Sequence, residues 1–524
     1  MVNNNKLEIL AFQRIMNNCN SENESLFNIE NVTLDSLECI QFVTKNKPFQ
    51  PHTEIPIFFV KDIYEIITRY QQIIDQFDIE ENIENIKLKQ SDYNDFTKIQ
   101  YLIMYLYSYK SDLLNRLINN SFETIEDKKD ALSKIENIIE LSFDELSNWL
   151  NDKGYHLYQN LINLVDIKYD SNIDKLFNIG IENNIYSPFS CLNIQNSIEK
   201  DFDEVQKFKI VFELKEEYKT NKYQAEIIQT KLPEHVLKYY FAAILLIPVL
   251  INSQEKVKVE CWHTEEKKKL SSLNKILGPK EVNSGSTFVN NGNITILRNE
   301  EMHKVLLHEM MHAKKLDMYI NKYQTELDII NWLKKHFCIP ENTKILINES
   351  YVELWAVILN CIISAHHLKP DKLLCTIKHM LNIEKLFSCF QCAKILNFFN
   401  FEKFTDFYNV NGWTLDDIKN SKYKQNSSIL SYYFLKSAIL FNLNEFLNFC
   451  KSNKSIKDLL NFIKTEENIN NYFNLIKKSL NNLDFHKAID FYINVIKKNN
   501  NKLISNNNEF DIYSTLRMTA ISFL

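Results

Sequence analysis

Thr287-Phe-Val-Asn-Asn-Gly-Asn-Ile-Thr-Ile-Leu297 is followed, four residues on, by Met302-His-Lys-Val-Leu-Leu-His-Glu-Met-Met-His-Ala313. The first stretch has two β-rich arms around Asn291-Gly292, the strongest short hairpin signal in a sequence. The second is helical in pattern. Asn299 reads as its N-cap, with Glu300 and Glu301 in a first turn where the helix dipole favours negative charge, and the pattern predicts a helix to about Tyr319. On such a helix four residues advance by about 400°, so His308 and His312 share one face. Their imidazoles can converge on one Zn2+ at about 2.0–2.1 Å. Glu309, beside the first histidine, can reach a water at the metal and take its proton. Val305, Leu306, Leu307, Met310 and Met311 predict that the helix is buried, and a buried His-Glu-His group needs partners. The plain alternative is two surface histidines on an ordinary helix.

Working outward, Phe208, Ile210, Phe212 and Leu214 alternate with residues of a second face, which predicts a strand. Pro233 opens a helix through the apolar run to Ile251, since proline suits a first turn. Val257, Val259 and Cys261 alternate again. The order is strand, helix, strand, hairpin, helix, and the chain then reads as helical to its end. Upstream, Asp62 to Phe77 carries Ile63, Ile66, Ile67, Tyr70, Ile73 and Ile74 at helical spacing, and Asp95 to Leu117 and Asp130 to Leu150 look similar. Six glycines in 524 residues are about 1%, against a usual ~7%, so tight turns are few and helices dominate. The expected fold is α+β, predominantly helical with a small mixed sheet. Its parts are a helical accessory domain over 1–200, an α/β subdomain over 201–320, and a helical subdomain over 321–524.

A zinc site with three protein ligands needs one more. A third histidine in an HExxHxxGxxH pattern would require Gly at 315 and His at 318, where Lys315 and Met318 stand. Downstream, Asn348-Glu349-Ser350-Tyr351-Val352-Glu353 opens an apolar run. Glu349 and Glu353 are four apart and share a helical face. One can ligate while the other accepts the free N–H of a ligating histidine and fixes its tautomer. A solvated acidic first turn is the other reading.

HExxH followed by NExxxE resembles the gluzincin metallopeptidases. The resemblance implies a zincin-like catalytic domain binding Zn2+ through His308, His312 and Glu349, with Glu309 as catalytic base and Glu353 behind a ligand. Val305, Met310, Met311 and Ala313 match the longer zincin consensus, and Lys314 departs from it. The resemblance covers roughly Lys207 to Leu359. The GxMEN motif of gluzincin aminopeptidases is not present, which makes endopeptidase the expected activity. The chain also resembles HExxH proteins of large DNA viruses. A hydrogen-bond donor normally assists the metal in stabilising the tetrahedral intermediate. Tyr432 is the candidate, with Tyr433 beside it and core packing as the alternative for both. His366, His367 and His379 are weaker candidates.

The bulk properties narrow the partners. A net charge of −6 and no long Lys/Arg run argue against nucleic acid. The longest apolar run, Tyr239 to Ile251, contains Pro248 and is short of the about 20 residues a membrane span needs. The N-terminus MVNNNKLEILAFQ reads as no secretion signal, and the ten scattered cysteines read as reduced core thiols. Cys389 and Cys392 form a lone CxxC. The expectation is an intracellular or virion-associated zinc peptidase acting on polypeptides. A catalytically inactive zincin-fold protein in a larger assembly, or a zinc hydrolase of a non-peptide bond, is the competing reading.

Overall fold

The structure is a computed structural model that describes residues 33–76, 83–85, 205–216, 219–230, 234–270, 276–287, 292–317, 324–340, 343–368, 372–451, 456–499 and 512–522. The segments 95–117 and 130–150, read above as helices, lie outside these residues. The chain forms two compact units, residues 1–84 with 207–524, and residues 85–206. The candidate site belongs to the first.

The fold is mostly helical with one small mixed sheet. Its strands are β1 (Ile83–Asn85), β2 (Val205–Glu216), β3 (Lys219–Thr230), β4 (Val257–Thr264), β5 (Gly285–Thr287) and β6 (Ile294–Arg298), in the order β1-β2-β3-β4-β6-β5. Ile210, Phe212 and Leu214 of β2 are buried, as their alternation predicts. Strand β3 was not anticipated. It alternates too, but two of its buried positions are Asn221 and Gln229, which cuts the apolar alternation to Tyr223, Ala225 and Ile227. Helix α1 (Leu34–Lys45) and helix α2 (Ile57–Asp75) come first among the described residues, and α2 buries Ile63, Ile66, Tyr70 and Ile73 along one stripe. Helix α3 (Glu234–Leu250) joins β3 to β4, which pair in parallel. It is apolar on every side because it is covered by α2, by the sheet and by the histidine-bearing helix. Among the described residues no helix is long and apolar enough to cross a membrane.

Strands β5 and β6 pair as the arms read from the sequence do, while residues 288–291 between them lie outside the described residues. The edge strand is Gly285–Thr287, antiparallel to β6, with Thr287 opposite Ile294. The arm Ile294–Leu297 is interior, because β6 also pairs in parallel with β4. Gly292 has the left-handed φ of +69° that the Asn-Gly turn signal requires. A Cβ there would come within 3.3 Å of the Ala313 carbonyl oxygen, so Gly292 lies against the end of the following helix.

That helix, α4, spans Met302–Ala313, between β5 and β6 on one side and helix α6 (Asn348–His367) on the other. It starts later and stops earlier than expected. Glu301, not Asn299, is the N-cap, with a left-handed φ of 61° and no side-chain cap bond. The side chains of Glu300 and Glu301 turn inward instead. Glu300 Oε2 accepts from the Lys268 amide, and Glu301 pairs with Lys268 Nζ at 2.6 Å. At the other end Leu316 N–H bonds to Met311 O and Lys315 N–H to His312 O, with Lys315 at φ 55°. This is a Schellman stop with lysine where glycine is usual.

Helix α5 (Gln324–His336) follows, then α6, and α7 (Leu373–Phe398) packs against α6. The expectation of helix to the end fails for residues 512–522, which contain none. This stretch is almost wholly buried from Leu516 to Ser522. Its backbone is bonded by side chains of distant elements instead of by a regular ladder, which satisfies the same buried groups. Glu301 Oε1 accepts from Met518 N and Thr519 N, Glu384 Oε1 from Ala520 N and Ile521 N, and Tyr433 OH donates to Leu516 O.

Candidate metal centre

Helix α4 presents His308 and His312 on one face, and α6 presents Glu349 from its first turn, where the helix dipole favours a carboxylate. Nε2 of His308 and Nε2 of His312 are 3.2 Å apart. Glu349 Oε2 lies 3.3 Å from each. A tetrahedral ion with bonds of about 2.0–2.1 Å separates its ligand atoms by about 3.3 Å. The triangle therefore has the size a zinc ion requires. Among the described residues this is the one group of three such side chains able to share an ion.

Each histidine is oriented from behind. His308 Nδ1 is 2.9 Å from Glu353 Oε2, and His312 Nδ1 is 2.9 Å from Asp317 Oδ2. An Nδ1–H donated to a carboxylate leaves the Nε2 lone pair facing the triangle. Glu353 thus stands behind His308, the side the NExxxE resemblance assigns to it. Asp317 was not foreseen. It comes back against His312 because the Schellman stop turns the chain at Lys315, and Asn348 Nδ2 donates to the same Oδ2 at 3.2 Å. No sequence rule marks an acid five residues after the second histidine.

The electrostatics follow from burial and pairing. Burial opposes charge on His308 and His312, but the bonds and charges of Glu349, Glu353 and Asp317 outweigh it and raise both imidazoles above their ordinary value. Burial raises Glu349 and Glu353, and the nearby cations more than reverse this. The histidines hold Glu349 well below the usual carboxylate range, while Lys304 and then His308 hold Glu353 at about 2. The carboxylates thus favour positive charge in this pocket. A divalent cation would meet the same demand.

Glu309 is buried beside the triangle. Its Oε2 accepts from Thr287 Oγ1 at 2.8 Å, which links it to edge strand β5. Gly285 of β5 lets the strand approach this closely, since a Cβ there would meet Val305 Cγ1 at 2.9 Å and Glu309 Cγ at 3.1 Å. Tyr432 stands across the site, its ring 5.9 Å from that of His308 and edge-on to it. It lies in a π-helical turn, Leu430–Leu435, an irregularity common at functional sites. Burial first, then Glu349, Glu309 and Glu353, push its phenol far above the ordinary range, so it stays a donor.

The other candidates lie elsewhere. Tyr433 points the opposite way, into the 512–522 segment. His366 and His367 end α6, about 27 Å along the helix from Glu349 at 1.5 Å per residue. There they contact Gln71 and Tyr70 of α2. His379 is on α7, its pKa lowered by burial. Cys389 and Cys392 are buried on α7, and burial raises both thiols. Lys314, the departure from the zincin consensus, turns its amine out to the Glu255 carbonyl at 3.1 Å. No family model matches the chain, and neither a curated protein nor a solved structure matches it.

Proposed function

We propose that the chain is a zinc-dependent endopeptidase of zincin-like plan, with His308, His312 and Glu349 holding the metal and Glu309 as general base. The observation that carries this reading is the triangle of Nε2, Nε2 and Oε2 at 3.2–3.3 Å, with a carboxylate behind each imidazole. When bound, zinc would acidify a water and polarise a carbonyl. Glu309 takes the proton of the attacking water and delivers it to the leaving amine. Thr287 holds the carboxylate in line for both transfers. Tyr432 donates to the oxygen that becomes negative as the carbonyl turns tetrahedral. Strand β5 is the last in the sheet order and runs beside Glu309. An extended peptide can pair with such an edge and hold its scissile bond over the site without demanding one sequence. This supports a peptide substrate over a smaller ester or amide.

The test is elemental analysis of the purified chain, followed by incubation with an unbiased peptide library read by mass spectrometry. One zinc per chain and defined internal cleavages are expected. Zinc without cleavage would transfer support to a binding or scaffold function. No metal uptake by folded protein, even after zinc is added back, would overturn the proposal.

A further inference from the structure

Lys304 precedes His308 by one helical turn on α4 and is buried. Its Nζ lies 2.5 Å from Glu353 Oε1 and 3.8 Å from Met518 Sδ. The other oxygen of Glu353 is the one that holds His308 Nδ1. Oε1 has no hydrogen-bond donor among the described residues, so the Lys304 ion pair is the contact that answers it. Lys436 is also near, but its ammonium donates to Ser388 Oγ at 2.9 Å and Met518 O at 3.3 Å.

Residues four apart on a helix share a face, and long helical side chains lean toward the N-terminus. Lys304 thus sits on the side of His308 away from the metal triangle and reaches across to α6. A methionine of similar length would fill this space without the desolvation cost of an ammonium. Lysine adds a charge and a direction. It fixes one oxygen of Glu353, leaving the other aimed at the imidazole.

Resting on the metal reading above, we infer that Lys304 is a positioning residue for the metal centre, acting through Glu353 to orient His308. Segment 516–519 supplies the wall behind it, with Met518 against the ammonium.

The test compares wild type, K304M, E353Q and the double variant K304M/E353Q. Zinc affinity is read by chelator competition, cobalt(II) absorption reports ligand geometry, and circular dichroism reports fold. K304M is expected to bind zinc about tenfold or more weakly, with a cobalt spectrum shifted toward that of E353Q. In the E353Q background the same substitution should cause no further loss, because the path runs through Glu353. If K304M misfolds, the double variant, which removes both halves of the Lys304–Glu353 pair, gives the deciding comparison with E353Q. Equal affinity supports the inference, and a further loss overturns it. A folded K304M with wild-type zinc affinity also overturns it while leaving the metal reading intact. A wild type that binds no zinc overturns the metal reading itself, and this inference with it.

Discussion

Thr287 Oγ1 donates to Glu309 Oε2 across 2.8 Å and lies 3.0 Å from the Glu309 carbonyl oxygen. A hydroxyl has one proton to give, and the charged acceptor makes the stronger bond. The edge strand and the acid beside the metal triangle are thereby tied together. A peptide paired to β5 would be registered against Glu309 without an intervening loop.

Glu309→Gln is therefore expected to keep fold and zinc while losing most turnover, on the order of 10²–10⁴-fold, the usual contribution of a general base. The amide can still accept from Thr287 but cannot take the proton. Zinc analysis and peptide turnover check this together. Wild-type turnover in the variant would remove Glu309 from the mechanism.

Gly285→Ala tests the closeness of β5 to α4. The added methyl would sit 2.9 Å from Val305 Cγ1, 3.0 Å from Ile296 Cδ1 and 3.1 Å from Glu309 Cγ. Overpacking of this kind costs typically about 1–3 kcal/mol. A lower melting temperature and reduced turnover are expected, with zinc retained because no ligand is touched. An unchanged melting temperature and rate would show that the strand yields freely.

Glu349→Ala should weaken zinc binding far more than Glu353→Ala or Asp317→Asn. The first removes a ligand. The other two remove groups that orient His308 and His312, where losses of roughly 10–100-fold are typical. Chelator competition ranks the three, and the opposite order would mean that Glu353 is the ligand and Glu349 the orienter.

Glu384, on helix α7, gives a pH dependence through a group outside the histidine–glutamate triangle. Burial raises its carboxyl from 4.5 to about 7, against the bonds it accepts from Thr519, Ile521 and Ala520. A folded value above the unfolded one favours the protonated form. The stabilisation is complete below pH 4.5 and is lost as pH rises through 7. Glu384→Gln mimics the neutral form, so it should gain up to roughly 3 kcal/mol over wild type between those limits. Melting curves of both proteins at pH 5 and pH 8 would show it. A difference that does not grow with pH would rule out ionisation as the cause.

The side chains that meet in the triangle were legible in the sequence, because the rules that place them are local. Four residues on a helix place His308 over His312, and a carboxylate in a first turn suits the helix dipole, as at Glu349. Period-two alternation marked β2 and β4. The same rule failed for β3, where Asn221 and Gln229 occupy inward positions. Asn291-Gly292 signals a turn but not where its arms begin to pair, and the first arm starts at Gly285.

Sequence alone therefore determined which side chains could form the triangle. The packing of α4 between the sheet and α6 decided which groups stand behind it. Asp317 returns to His312 only because Lys315 adopts a left-handed turn. Lys304 meets Glu353 only because α4 and α6 pack face to face. Thr287 reaches Glu309 only because Gly285 allows the close approach of β5. Residues 516–522 fill the back of the site with no periodicity of their own, since their partners are Glu301, Glu384 and Tyr433. A local pattern records which face of an element is apolar. It does not record what that face will meet, because burying a polar group depends on a partner brought near by the rest of the fold.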